Sequence, residues 1–153
     1  METFVIDTSV VVKFFFEEEF RDIAQDVLLK ANQKKIKLLA PPLLSLEIIN
    51  VFIKKGLSLG EIENALSVFR EQVKAKVITI IPSNTKLISK AIEIAKTETK
   101  EKSHASFYDS VFHALALLKS CSFLTADKKH YNKTQNPIGS IVLLEDFKCS
   151  DNL

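Results

Sequence analysis

The stretch FVIDTSVVVKFF, residues 4–15, sets one acid inside an apolar run. Phe4, Val5 and Ile6 have the continuous apolar character of a strand buried on both faces. Asp7 follows at once, and the chain then returns to apolar residues. Burying a carboxylate is costly unless something pairs with it. Asp7 therefore either caps the short helix that follows or waits for a cation.

Reading outward, four more short apolar runs have the same strand character: residues 37–40, 77–80, 122–125 and 141–144, after a first strand at 3–6. Between them lie longer stretches of helical periodicity. Residues 20–35 carry Ile23, Val27 and Leu28 on one face. The stretch PPLLSLEIINVFIKK, residues 41–55, opens with prolines and ends before Gly56, a helix stop. Residues 58–74 begin with the capping-box pattern of Ser58 and Glu61. Residues 83–97 and 106–119 complete the set. Helices between buried strands predict an α/β chain, a central parallel sheet covered on both faces. TETKEKSH, residues 97–104, reads as a charged loop.

A chain of 153 residues suits one domain, placed at residues 1–148 with a frayed tail at 149–153. With 46% hydrophobic residues it is not a disordered chain, and only 3 Gly and 4 Pro leave little for long loops. The net charge of +2 neither requires nor excludes nucleic acid as partner. No apolar run approaches the roughly 20 residues of a membrane span, and the N-terminus lacks a signal-peptide pattern, so a cytoplasmic protein is expected. Cys121 and Cys149 have no metal-ligand spacing. They read as free thiols, with a Cys121–Cys149 disulfide the alternative in a hyperthermophile.

Three more acids share the context of Asp7. Glu47 lies in LLSLEIIN, Asp109 in SFYDSVFHALAL and Asp127 after FLTA. In a parallel sheet, ligands bind beyond the carboxyl ends of the strands, near the point where strand order reverses. Asp7 and Asp127 end strands, and the two helical acids reach that edge if their helices start there. Grouped carboxylates raise each other's pKa unless a cation neutralises them. Oxygen ligands of this kind suit Mg²⁺ or Mn²⁺. Each acid also has a plain reading as a helix cap or solvated helix residue, and spacing alone leaves both readings open.

In order along the chain, VIDTSVVVKFFFEEE, LLAPPLLSLEIINVF, FYDSVFHALALL and FLTADKKHY resemble a PIN-domain ribonuclease of the VapC type, the toxin of a toxin–antitoxin pair. The resemblance runs from about residue 3 to 147. It implies a three-layer α/β/α sandwich and a Mg²⁺- or Mn²⁺-dependent endoribonuclease leaving a 5′-phosphate and a 3′-hydroxyl. The family's acidic quartet falls on Asp7, Glu47, Asp109 and Asp127, as catalytic and metal-ligating residues. Ser9, Asn50 and Thr125 match polar positions that orient carboxylates or waters, with local capping as the alternative. Phe107 and Tyr108 before Asp109, and His113 after it, depart from the pattern.

The resemblance further implies an RNA substrate, a homodimer and a cognate VapB-type antitoxin, with no membrane role. Lys13, Lys128 and Lys129, with His130, lie close in sequence to the acids and are candidates to hold RNA phosphates. His104 and His113 are weak candidates for a catalytic base. The competing function is a catalytically inactive PIN-like module that binds RNA or protein. A receiver-type phosphoacceptor would need an Asp after the third strand, where the chain has ITIIPSN. A haloacid-dehalogenase-type phosphatase would need an acid where Ser9 stands.

Overall fold

The computed structural model describes residues 1–97 and 104–149. Most of the charged loop and the last four residues of the expected tail lie outside the described residues. Five strands form one parallel sheet: β1 (Glu2–Ile6), β2 (Ile36–Ala40), β3 (Ile78–Ile80), β4 (Ser122–Thr125) and β5 (Ile141–Leu143). Their spatial order is β3-β2-β1-β4-β5. The chain moves outward from β1 through β2 to β3, then crosses back to β4 on the other side of β1. The order therefore reverses between β1 and β4, where Phe4 pairs with Ser122 and Ile6 with Leu124.

Seven helices flank this sheet: α1 (Thr8–Val11), α2 (Arg21–Asn32), α3 (Leu43–Lys54), α4 (Leu59–Lys74), α5 (Thr85–Lys96), α6 (Phe107–Leu118) and α7 (Lys128–Thr134). Right-handed crossovers put α2, α3 and α4 on one face, because the chain moves one way through β1, β2 and β3. They put α5, α6 and α7 on the other, because it then moves back. The result is the expected three-layer α/β/α sandwich.

The core is continuous. Val5, Ile6, Leu38, Ile78, Phe123 and Leu124 are buried in the sheet, sealed by Leu44, Ile48 and Phe52 from α3 and by Phe112 and Leu115 from α6. Phe15 and Phe16 both meet Phe52 edge to face. The Ser58–Glu61 capping box forms as the sequence predicts, and starts α4. At α5 the cap is Asn84 rather than Ser83: its side chain accepts from Leu87 N at 2.8 Å. Cys121 and Cys149 are not joined to each other, so the disulfide considered from sequence is not formed. No described helix is long and apolar enough to cross a membrane.

Candidate active site

Asp7 leaves the carboxyl end of β1 and caps α1, accepting from Val10 N at 3.3 Å. It is only 5% exposed. Two hydroxyls hold its carboxylate, one on each oxygen: Ser9 Oγ donates to Oδ1 at 2.5 Å and Thr125 Oγ1 to Oδ2 at 2.6 Å. The donor assignment follows from what else each hydroxyl does. Ser9 Oγ accepts from Ala126 N at 2.9 Å, and Thr125 Oγ1 accepts from Asp127 N at 3.0 Å. Both hydroxyls thus relay between the loop after β4 and the acid after β1, across the point where strand order reverses.

Glu47 sits early in α3, which starts just past the carboxyl end of β2. Thr8 Oγ1 donates to its Oε2 at 3.2 Å. Its other oxygen, Oε1, is buried without a hydrogen-bond partner. Asp109 lies in the first turn of α6, whose start faces the same edge. Asp127 follows β4 and caps α7: its Oδ1 accepts from Lys129 N at 2.9 Å and His130 N at 3.2 Å. The topology brings all four acids to one edge of the sheet.

Electrostatics tie them together. Asp7 is pushed up to about 7, chiefly by burial and further by the charge of Asp109, against the pull of its Ser9 and Thr125 hydrogen bonds. Asp109 is raised to about 6 by burial and by Asp127, partly offset by Lys133. Glu47 is raised by burial and again by Asp109, against Thr8. Asp109 therefore feels or is felt by each of the other three acids. Among the described residues none of the four is in an ion pair.

The donor set is carboxylate oxygen alone, which fits a hard divalent cation. Among the described residues no three of these groups converge into a ready chelate. Mg²⁺ does not require one: it commonly takes one or two carboxylates and completes its shell with water and phosphate. Glu47 Oε1, buried and unpartnered, is the atom that most needs a cation.

Several sequence-based candidates fall elsewhere. Lys13 is buried, and its ammonium sits 3.3 Å from Glu18, so its charge is already used and it is not a phosphate ligand. Asn50 shares a helix with Glu47 but is exposed, with no hydrogen bond among the described residues, so it orients nothing there. His130 is buried, not a phosphate holder. It belongs to a pair: His113 Nδ1 lies 3.0 Å from His130 Nε2, and His113 Nε2 lies 2.7 Å from the Gly139 carbonyl. A carbonyl only accepts, so His113 carries its proton on Nε2 and takes another hydrogen bond from His130 Nε2–H. His113 stacks on Phe123 at 5.4 Å. Burial lowers both imidazoles, His130 to about 4. Neutral and sequestered, this pair packs behind α7 and is no catalytic base.

Lys128 and Lys129 are exposed at the start of α7, with Lys128 Nζ 3.6 Å from Glu145. Two residues were missed from sequence. Thr8, next to Asp7, has no role in the sequence reading, yet it donates to Glu47. Lys133 is the cation nearest in effect to Asp109; the signal was its helical spacing from Lys129, visible once Asp127 is taken as the cap of α7.

A comparison with curated protein sequences finds no match. Solved structures do share the fold. The crystal structure of PAE2754 from Pyrobaculum aerophilum superposes with a TM-score of 0.63 at 16% identity, covering 94% of this chain and 90% of that one. VapBC-1 from nontypeable Haemophilus influenzae gives 0.66 at 11%, covering 94% and 98%. VapBC2 from Rickettsia felis, bound to a DNA fragment from their promoter, gives 0.66 at 13%, covering 92% and 96%. At these identities the likeness is one of fold. The PIN domain family model matches residues 4–135, most of the chain and all four acids. The chain belongs to the PIN domain family.

Proposed function

We infer that this protein is a divalent-metal-dependent endoribonuclease and the toxin of a VapBC-type pair. PIN domains are generally nucleases, and the solved structures that share its fold include VapBC toxin–antitoxin complexes. One observation carries the reading: four carboxylates lie along the sheet edge at the strand-order reversal with no ion-pairing cation among the described residues, and one buried oxygen, Glu47 Oε1, lacks any partner.

Asp7, Glu47, Asp109 and Asp127 would hold Mg²⁺ or Mn²⁺. Bound there, the ion supplies an activated water and offsets charge on the attacked phosphate. The chain's own contribution is placement. Ser9 and Thr125 fix both oxygens of Asp7. Thr8 turns Glu47 so that Oε1 faces inward. The α7 amides take Asp127 Oδ1 and leave Oδ2 for ligation. Lys128 and Lys129 suit flanking phosphates. Partners follow the same reading. An apolar groove of about 450 Å³ between α3 and α4, lined by Ile49, Leu66, Phe69 and Val73, suits an antitoxin segment. Exposed Ile88 and Ile92 on α5 suit a homodimer contact.

The test is cleavage of a mixed RNA pool by wild type and Asp7→Asn, with Mg²⁺ or Mn²⁺ and with chelator. Cleavage that needs both metal and Asp7 is expected. Folded protein that neither cleaves nor binds Mn²⁺ would instead support the non-catalytic binding module.

A further inference from the structure

Phe107 and Tyr108 open α6 directly before Asp109, and they are 38% and 62% exposed. Their rings meet edge to face at 5.9 Å. This exposure is out of character for the chain. Every other one of its 11 phenylalanines is buried or packed against the core. Single exposed apolar residues are ordinary, but two adjacent aromatic rings beside an acid of the site form an exposed aromatic surface.

Lys133 supplies the complementary charge. Its Nζ lies 3.3 Å from the His104 carbonyl, on the segment that leads into α6. Lys13, Lys30, Lys55, Lys90 and Lys128 all have carboxylate partners. Lys133 has none among the described residues, although Asp109 lies within reach of its field. The hydrogen bond to the His104 carbonyl holds this ammonium next to the start of α6, where the aromatic pair begins. An approaching phosphate meets four acids at this edge, so a strand needs such a cation on its path.

We propose that Phe107 and Tyr108 form a stacking subsite for an unpaired nucleobase of the bound RNA, with Lys133 holding an adjacent phosphate. The proposal rests on the ribonuclease reading above. Stacking on an aromatic side chain is available to any base whose π-face is free, and duplex bases have theirs covered.

The test uses Asp7→Asn protein, which binds RNA without cutting it, and oligoribonucleotides carrying 2-aminopurine at successive positions, both single-stranded and as duplex. Single strands should bind more tightly than duplex, with fluorescence quenched at one position. Adding Tyr108→Ala should weaken binding about tenfold and abolish the quenching, while Tyr108→Phe keeps both. Lys133→Met should lower the slope of log affinity against log salt by ~0.7 and leave the quenching in place. Equal binding of duplex, or unchanged affinity in the Phe107→Ala/Tyr108→Ala double variant, overturns the proposal. So does a double variant that loses dimerisation but not RNA affinity, since the rings would then serve a second copy of the chain. Wild type that cleaves RNA while these variants bind normally sinks this inference alone; wild type that neither binds nor cleaves RNA sinks the ribonuclease reading with it.

Discussion

Asp7→Asn should make the metal-free protein more stable above neutral pH, although it removes a group central to the site. The reason is burial. In the fold the Asp7 carboxyl is raised from 3.8 to about 7. Between those values the unfolded chain releases the proton and the folded chain keeps it. Stability therefore falls as pH rises through this window. At 1.36 kcal/mol per pH unit the gap amounts to ~4 kcal/mol at pH 8. Asparagine is of similar size and never ionises. Its amide cannot accept from both Ser9 and Thr125, which returns roughly 1–3 kcal/mol of that gain. The expected net advantage of the variant at pH 8 is then about 1–3 kcal/mol; it shrinks as pH falls and becomes a deficit of roughly 1–3 kcal/mol below pH 4, where only the lost hydrogen bond remains. The assay is urea unfolding from pH 4 to 8.5 with chelator present. Taking the difference between the two proteins cancels titrations that Asp7 does not touch, such as those of the histidine pair; Asp109, whose charge acts on Asp7, shifts with the substitution and belongs to the effect. Saturating Mn²⁺ should raise wild-type stability and leave the variant nearly unmoved. Wild-type and variant stabilities that run parallel across the whole range would refute the reasoning, because Asp7 would then titrate like a solvated acid.

Thr125→Val keeps the shape of the strand residue but strands an Asp7 oxygen and the Asp127 amide, both in the interior. It should cost about 2–3 kcal/mol in urea unfolding and weaken Mn²⁺ binding at least tenfold in a calorimetric titration. An NMR titration of the imidazoles should find His113 and His130 neutral through the physiological range, with His130 protonating only near pH 4. Ordinary midpoints near 6.5 for both would mean that water reaches the pair.

The architecture was legible because its strands are continuous apolar runs and only helices separate them. All five strands fall within a residue or so of the stretches read from sequence. Helix ends were less legible for a definite physical reason. At the end of α3 the left-handed position is Gly56, a signal any reader can use. At the ends of α2, α4 and α6 the same position is filled by Lys34, Lys76 and Ser120, at φ of 59°, 60° and 53°. Those stops carry no glycine: periodicity carries α2 on to residue 35, although it ends α4 and α6 within a residue of their observed ends. The start of α2 falls one residue early in that pattern, at Phe20, which precedes the helix at φ 64°. The four acids could be placed at one edge from topology alone. What periodicity could not show was which polar residues face them. Lys13 and Asn50 had suitable spacing and turned elsewhere, whereas Thr8 and Lys133 reached the site through contacts between elements distant in sequence.

The opening acid explains why so much polar chemistry is gathered between β1 and β4. A carboxylate buried to this degree costs ~4 kcal/mol when ionised, against the 5–15 kcal/mol that a whole domain has in hand. A chain tolerates such a term only where it is offset in the working state. Ser9 and Thr125 offset part of it permanently, by donating to both oxygens. A cation offsets the rest, and it does so for Glu47 and Asp109 at the same time, because Asp109 is repelled by each of the other acids. The metal-free protein should accordingly be its own least stable form at neutral pH. On the proposed reading, any ligand that delivers positive charge to this edge is favoured by the relief of three raised carboxyls at once.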